Sequence, residues 1–256
     1  MSFIPVDRER FLRTVRDVCT DGHSRFNIGT YKEKKLHLTL KNYFEEDRAC
    51  QEIPFGGFVA DIMNSCGITE IQTSGFARLR DKLEAFLEHT PVTLVYPVAQ
   101  TKWITWIDPE SGEFSKRNKS PKKGKYADVL PEMVFIHQYL THPGLTVRVV
   151  LLEIEEYRLL DGKRSLSRKR GSSRFERMPV DILGVYDFTG REDYLSLLSL
   201  TPGDTVTSKS LMETLRFRGR KVSAAMRVLE SAGVTERIGK QGNTVLYRVR
   251  ECDPSV

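Results

Sequence analysis

The chain has 256 residues, of which 39% are hydrophobic and 29% are charged, and its formal net charge at pH 7 is +6. This composition excludes an intrinsically disordered chain, and the length allows one large domain or two modest ones. The moderate basic excess fits a polyanionic partner, and the place where the basic residues cluster matters more than their number.

Apolar spacing predicts two helices and then a group of short strands at the start of the chain. Residues 6–18 carry apolar side chains at helical spacing, and a second helix is expected over about residues 29–44. The period then changes to two, which predicts a three-stranded antiparallel meander. Its strands are residues 51–54, 58–63 and 67–73. An amphipathic helix over residues 76–87 and a buried strand over residues 92–98 complete this part.

The middle of the chain alternates between regular elements and basic stretches. Residues 102–107 and 112–115 predict a hairpin, residues 126–140 a helix, and residues 145–152 a strongly apolar strand. Two stretches are basic. Residues 116–125 contain six Lys or Arg and no acid, and residues 163–177 contain seven Lys or Arg against one Glu.

The character of the sequence changes again near residue 200, which predicts two domains, residues 1–200 and 201–256. Two helices, over residues 208–215 and 221–232, precede a hairpin formed by residues 234–249 around a Gly-rich turn. Helix, turn, helix and β-hairpin is the element order of a winged helix-turn-helix domain. Such a domain binds DNA or, in the alternative interpretation, another protein.

The cysteines and the first twenty residues indicate a cytoplasmic protein. Cys19, Cys50, Cys66 and Cys252 form no CxxC pair, which argues against a zinc cluster and against a disulfide framework. The first twenty residues are rich in charge and lack an apolar segment, so no signal peptide is expected. No apolar run approaches membrane-spanning length, and no membrane partner is expected.

Acidic residues in the meander form the most informative pattern in the sequence. If residues 64–67 make the turn, strand pairing brings Asp61 close to Glu70. Two neighbouring carboxylates are unfavourable unless something offsets their charge, and together with the backbone carbonyl of Ile71 they would suit Mg²⁺. Glu33 lies on the apolar stripe of the second helix and is a candidate third acid, with His37 one turn away.

Residues 28–98 resemble the α-β-β-β-α-β core of the PD-(D/E)XK, or restriction-endonuclease-like, nucleases. The resemblance implies an α/β (α+β) fold in which helices flank a central mixed sheet. It also implies that Asp61 and Glu70 hold Mg²⁺, for which Mn²⁺ may substitute, and that Glu33 supports the site. Ala60 precedes Asp61, where the family has proline.

Gln72 is the main departure from the family, which usually has lysine at that position. Glutamine can orient a water molecule but cannot take its proton, so Gln72 is a catalytic candidate with a restricted role. Lys32, Lys82 or Lys102 could supply the missing positive charge, and the sequence does not choose among them. Alternatively, Asp61 and Glu70 are ordinary strand residues paired with Arg78 or Arg80.

The resemblance implies a metal-dependent DNA endonuclease, acting in restriction, defence or DNA processing, with double-stranded DNA as its partner. Because a nuclease with one site usually needs two copies to cut both strands, a homodimer is also expected. The alternatives are a DNA-binding regulator whose nuclease-like domain is inactive, and an interaction protein with no nucleic-acid partner. The candidate DNA-contacting residues are Lys116, Arg117, Lys119, Lys122, Lys123, Arg168, Lys169, Arg170, Arg174, Arg218, Arg220, Lys221 and Lys240.

Overall fold

The computed structural model describes residues 3–20, 34–73, 75–161 and 173–251. The helices are α1 (Arg8–Thr20), α2 (Lys35–Phe44), α3 (Arg80–Leu87), α4 (Leu130–Met133), α5 (Arg191–Leu198), α6 (Ser208–Leu215) and α7 (Arg220–Ser231). The strands are β1 (Phe3–Ile4), β2 (Gln51–Phe55), β3 (Phe58–Asn64), β4 (Gly67–Ile71), β5 (Val92–Ile107), β6 (Asn118–Lys119), β7 (Leu145–Leu159), β8 (Ser173–Phe188), β9 (Thr205–Val206), β10 (Thr235–Gln241) and β11 (Thr244–Val249).

A large mixed sheet organises the chain, which confirms the predicted fold class. Its strand order is β1-β8-β7-β5-β4-β3-β2, and β6 pairs with the outer part of β5. Strand β5 runs parallel to both β4 and β7, and the other neighbours are antiparallel. The order α2-β2-β3-β4-α3-β5 is the order that the sequence predicted for residues 28–98.

Helices cover both faces of this sheet, because apolar side chains alternate along its central strands. On β7, Val147 and Val149 belong to one buried cluster, whereas Val150 and Leu152 belong to the other. The first cluster contains the apolar residues of α3, α4 and α7, and the second contains those of α1 and α2. None of the helices in the described ranges combines the length and the apolar character needed to cross a membrane.

Several elements differ from their predicted lengths. Strand β5 is continuous over sixteen residues, so the segment predicted as the first arm of a hairpin is its outer half. The predicted helix over residues 126–140 is a short α-helix between two 3₁₀ turns. Pro131 lies in the first turn of this α-helix, where a missing N–H is tolerated, and the helical geometry is lost further on, at Ile136, which has φ −117° and ψ 20°.

Part of the basic stretch over residues 163–177 belongs to the sheet. Residues 173–177 lie in β8, which pairs with the far end of β7. Residues 162–172 lie outside the described residues, and so do residues 29–33 at the start of the predicted second helix, which is described from Lys35.

The last fifty residues contain two helices followed by a hairpin, in the predicted order. Strand β9 adds a third strand to the hairpin, giving the order β10-β11-β9. The assignment of this unit as a winged helix stays a prediction, and so does the domain boundary at residue 200. Met226 and Leu229 of α7 share a hydrophobic cluster with Leu130 and Met133 of α4, so the two halves bury a common core.

Candidate functional site

Asp61 and Glu70 lie together where strands β3 and β4 stop pairing. The ladder between the strands ends at the pair Ile62–Thr69. Beyond it, the backbone N–H of Asp61 donates to Oε1 of Glu70 at 3.1 Å, and the N–H of Ile71 donates to Oδ2 of Asp61 at 2.7 Å. The two acidic side chains therefore take backbone hydrogen bonds that a continuous ladder would make.

Two helices from opposite faces of the sheet contribute the neighbouring side chains. Nε2 of His37, on α2, lies 3.2 Å from Oδ2 of Asp61. Nζ of Lys82, on α3, donates to Oε2 of Glu70 at 2.6 Å. Four residues from two strands and two helices thus form one polar cluster within a largely apolar interior, and we call it the acidic site.

The neighbours of the two carboxyl groups, rather than burial, give them different acid strengths. The side chain of Glu70 is only 5% exposed. Its burial and the adjacent charge of Asp61 raise the pKa of Glu70 to about 7, although Lys82 opposes the change. Burial alone would also raise the pKa of Asp61, but His37 and the N–H of Ile71 hold it below its ordinary value. Asp61 is therefore ionised at neutral pH, while Glu70 exchanges a proton near pH 7.

The structure places a lysine in the acidic site even though Gln72 does not supply one. Of the three candidates, Lys82 contacts Glu70, Lys102 lies 3.3 Å from Glu156 instead, and Lys32 is outside the described residues. The sequence carried a signal for Lys82. It follows Leu79 by three positions and precedes Phe86 by four, and both of these are buried, so Lys82 lies close to the inward stripe of α3.

Gln72, the first residue after β4, is held by the neighbouring strand β5 and by the turn that follows. Its backbone N–H donates to the carbonyl of Val95, and its side-chain nitrogen donates to the carbonyl of Gly75, each at 2.8 Å. In the described part of the chain the Gln72 side chain makes no hydrogen bond to Asp61 or Glu70. Ile71 contributes its N–H to the site, and Glu33 lies outside the described residues.

The side-chain atoms that the acidic site offers as ligands decide which metal ions it could hold. Within residues 3–20, 34–73, 75–161 and 173–251, no group of three or more His, Cys, Asp or Glu side chains is arranged to hold a metal ion. Mg²⁺ commonly takes only one or two carboxylates and completes its shell with water and substrate phosphate. Among these residues Oδ1 of Asp61 accepts no hydrogen bond, whereas both carboxylate oxygens of Glu70 do, so the pair retains one free carboxylate oxygen.

Residues 34–189 match the model of a protein family described as a domain of unknown function (DUF8091). The chain belongs to this family. An uncharacterized protein of Treponema pallidum (strain Nichols) is 30% identical over 223 residues, which cover 86% of this chain and 87% of the relative. No solved structure matches the chain significantly.

The family segment contains the whole acidic site, from His37 to Lys82, together with the basic loop of residues 116–125. It ends at residue 189, before α5, so helices α6 and α7 lie beyond it. Similarity to the Treponema protein extends over a longer stretch than the family segment.

Part of the basic loop is fastened to the sheet. The guanidinium of Arg117 lies 4.0 Å from the ring centroid of Trp103, and its Nε lies 2.7 Å from Oε1 of Glu155. Nζ of Lys119 lies 5.4 Å from the same ring. These two residues, proposed as DNA contacts, therefore also hold the loop against β5 and β7.

The remaining candidate DNA contacts differ in their surroundings. Nε of Arg174 lies 3.7 Å from Oε2 of Glu156. Several others are exposed, namely Lys116, Lys122, Lys123, Arg218, Arg220, Lys221 and Lys240. Arg168, Lys169 and Arg170 lie outside the described residues.

The structure contains a network of ion pairs around Glu156 that the sequence analysis did not predict. Glu156, on β7, is 2% exposed and pairs with Arg158, with Lys102 at 3.3 Å and with Arg174. The alternation of side chains along β7 could have indicated that Glu156 is buried, because positions 150, 152 and 154 face one buried cluster and position 156 continues the same series. A buried carboxylate paired with three cations more often stabilises a particular packing than performs chemistry.

Proposed function

We propose that the chain is a metal-dependent DNA endonuclease of the PD-(D/E)XK type. The observation that carries this proposal is the meeting of Asp61 and Glu70 at the point where β3 and β4 separate. The element order α2-β2-β3-β4-α3-β5, with β4 and β5 parallel, supports it because the family resemblance implies that order. The perturbed pKa of Glu70 supports it as well, since strongly shifted acids concentrate at functional sites.

Each residue of the acidic site has a defined role in this proposal. Asp61 and Glu70 would hold Mg²⁺ or Mn²⁺, and the ion would polarise the scissile phosphate and offset its developing charge. His37 orients the Asp61 carboxylate through their 3.2 Å contact. Lys82 supplies the positive charge beside the phosphate that lysine provides at the Gln72 position in the family.

The same proposed function implies a substrate, an oligomeric state and a cellular location. Double-stranded DNA is the substrate, and two copies of the chain would act together to cut both strands. We also propose a cytoplasmic location, which the free thiols of Cys19, Cys50 and Cys66 support because such thiols suit a reducing compartment.

A DNA-binding regulator without catalytic activity is the second candidate. The engagement of the Gln72 amide by Gly75 favours it, because that amide is then not available to orient a water molecule. The close Lys82–Glu70 pair favours it too, because that pair already neutralises one of the two carboxylates.

Plasmid cleavage in Mg²⁺ and in Mn²⁺ distinguishes the two candidates. We expect the wild-type chain to cut, and Asp61→Asn and Glu70→Gln to lose activity by about 100-fold or more. Asp81→Asn, which alters an exposed acid next to Lys82 on α3, is the matched control and should cut normally. Equal activity in all four proteins would remove the acidic site from the reaction, and a wild type inactive in both metals would favour the regulator.

A further inference from the structure

A basic cavity of about 660 Å³ lies between the end of the basic loop and the turn that joins α6 to α7. The two walls come from residues 121–128 and 215–221, which are distant in sequence. Nζ of Lys125 donates to the carbonyl of Leu215 at 3.4 Å and links them. Six basic residues and one acid line the cavity, namely Lys122, Lys123, Lys125, Arg216, Arg218, Lys221 and Asp128.

The positive charge of this cavity is not balanced by the protein. Lys122, Lys123, Arg216 and Arg218 form no ion pair within the described ranges. The acid, Asp128, accepts a hydrogen bond at 3.2 Å from the backbone N–H of Lys125, so it also fastens the turn. A concave surface of one charge sign concentrates anions.

The α6–α7 turn holds its basic residues in place. Phe217 is buried between the exposed Arg216 and Arg218, which fixes the turn against the protein while both arginines face solvent. Arg216 has a φ of +54°, the left-handed conformation that commonly ends a helix, and it caps the C-terminus of α6. Lys221 lies on the same wall, with its Nζ 5.7 Å from the Phe217 ring centroid.

A second cavity of about 200 Å³ adjoins the first and extends toward the acidic site. The two share Lys122, Asp128 and Lys221, and the second continues along β5 through Lys102 to Tyr96. Tyr96 directly follows Val95, whose carbonyl accepts the N–H of Gln72. The two cavities therefore run from the α6–α7 turn to Tyr96 on β5, the strand that pairs with β4 and places Leu94 opposite Glu70.

We propose that the two adjoining cavities bind the sugar-phosphate backbone of a double-stranded nucleic acid and lead it toward the acidic site. The binding is argued from the cavities themselves, whereas its direction toward Asp61 and Glu70 rests on the proposed function. Exposed arginine and lysine side chains on fixed turns are the usual partners of backbone phosphates. A duplex is favoured over a single strand because Phe217, the aromatic residue lining the larger cavity, is buried and offers no stacking platform.

The test measures binding of the full chain to a fluorescent 20-base-pair duplex by anisotropy, in EDTA so that no cleavage occurs. The variant Lys122→Glu/Arg218→Glu reverses one charge on each wall. Lys209→Glu/Arg227→Glu makes the same net charge change at exposed positions that do not line either cavity. A single strand of the same length and polyglutamate serve as competitors.

We expect the cavity variant to bind at least about 10-fold more weakly than the wild type, and the control variant to bind normally. Each lost phosphate contact lowers the salt dependence of log K by about 0.9, so the slope should fall by about 2 in the cavity variant. If thermal unfolding shows that charge reversal destabilises the fold, Lys122→Gln/Arg218→Gln tests the same contacts and should flatten the slope in the same direction.

Three results would overturn the inference. The first is an equal loss of duplex affinity in the cavity and control variants, and the second is unchanged affinity in the cavity variant. The third is competition by the single strand or by polyglutamate that is as effective as competition by unlabelled duplex. The binding assay and the cleavage assay can fail independently of each other. Cleavage that does not depend on Asp61 would remove the acidic site from the reaction and leave the binding result standing. Normal binding by the cavity variant would remove this inference and leave the cleavage assay unaffected.

Discussion

Nζ of Lys82 donates to Oε2 of Glu70 at 2.6 Å, although the two residues are twelve positions apart and lie on a helix and a strand. The contact brings a cation to a pair of carboxylates that would otherwise repel each other in a buried setting. In the proposed function this lysine takes the role that PD-(D/E)XK nucleases usually give to the residue at the position of Gln72. Replacing Lys82 therefore tests the proposed catalysis as well as the buried pair.

Replacement of Lys82 by methionine should lower plasmid cleavage by about 100-fold, because it removes the positive charge next to the scissile phosphate. Lys82→Arg should retain part of the activity, since it restores the charge with a different shape. Cleavage rates in Mg²⁺ measure both. A Lys82→Met variant as active as the wild type would contradict the role given to Lys82.

The buried carboxyl of Glu70 should make the metal-free fold less stable as the pH rises. The pKa of Glu70 increases from an ordinary value of 4.5 to about 7 in the folded chain, because of burial and the charge of Asp61. Between these values the folded chain keeps a proton that the unfolded chain has lost. The free energy of unfolding therefore falls from about pH 4.5 to pH 7 and is level above that range.

Urea denaturation of the wild type and Glu70→Gln at pH 5 and pH 7.5, in EDTA, measures this effect. The difference between their free energies of unfolding should change by about 1 kcal/mol or more between the two pH values, since one pKa unit corresponds to about 1.4 kcal/mol. Glu110→Gln, at an exposed loop position, should run parallel to the wild type. Parallel behaviour of Glu70→Gln would show that the Glu70 carboxyl is not perturbed.

Glu156 should be far more important for stability than an exposed acid. Glu156→Ala leaves Arg158 and Lys102 without the buried carboxylate that they share, so we expect a loss of about 3 kcal/mol in the free energy of unfolding. Glu110→Ala should change it by less than about 0.5 kcal/mol. Chemical denaturation compares the two, and equal small losses would argue that the Glu156 network is not a stabilising feature.

Much of the fold could be predicted from periodicity and turn residues. The meander β2-β3-β4, helix α3, and the final two helices and hairpin were all visible as changes between helical and strand spacing. The full lengths of β5 and β7 were not visible, and β8 was not predicted as a strand, because charged residues such as Glu156 and Arg158 interrupt the apolar pattern that marks a buried strand. Their burial depends on partners elsewhere in the chain, which a local pattern does not contain.

The acidic site was predictable only in part, for a similar reason. The expected strand pairing brings Asp61 near Glu70, but the ladder ends one pair earlier, and the two residues meet through hydrogen bonds between side chain and backbone. Whether Lys82 or Lys102 contacts Glu70 depends on how α3 and β5 pack around β4. The basic cavity joins Lys122 with Arg218 through tertiary packing, which no local spacing reveals.

Binding of Mn²⁺ to the metal-free chain, followed by electron paramagnetic resonance at pH 8, tests the central claim most directly. This pH lies above the pKa of Glu70, so both carboxyl groups are ionised and the ion competes with Lys82 for Glu70. We predict that the wild type removes free Mn²⁺ from solution in a single-site titration, and that Asp61→Asn/Glu70→Gln does not. The same affinity in the wild type and the double variant, with Asp81→Asn as the control, would show that Asp61 and Glu70 do not form a metal site.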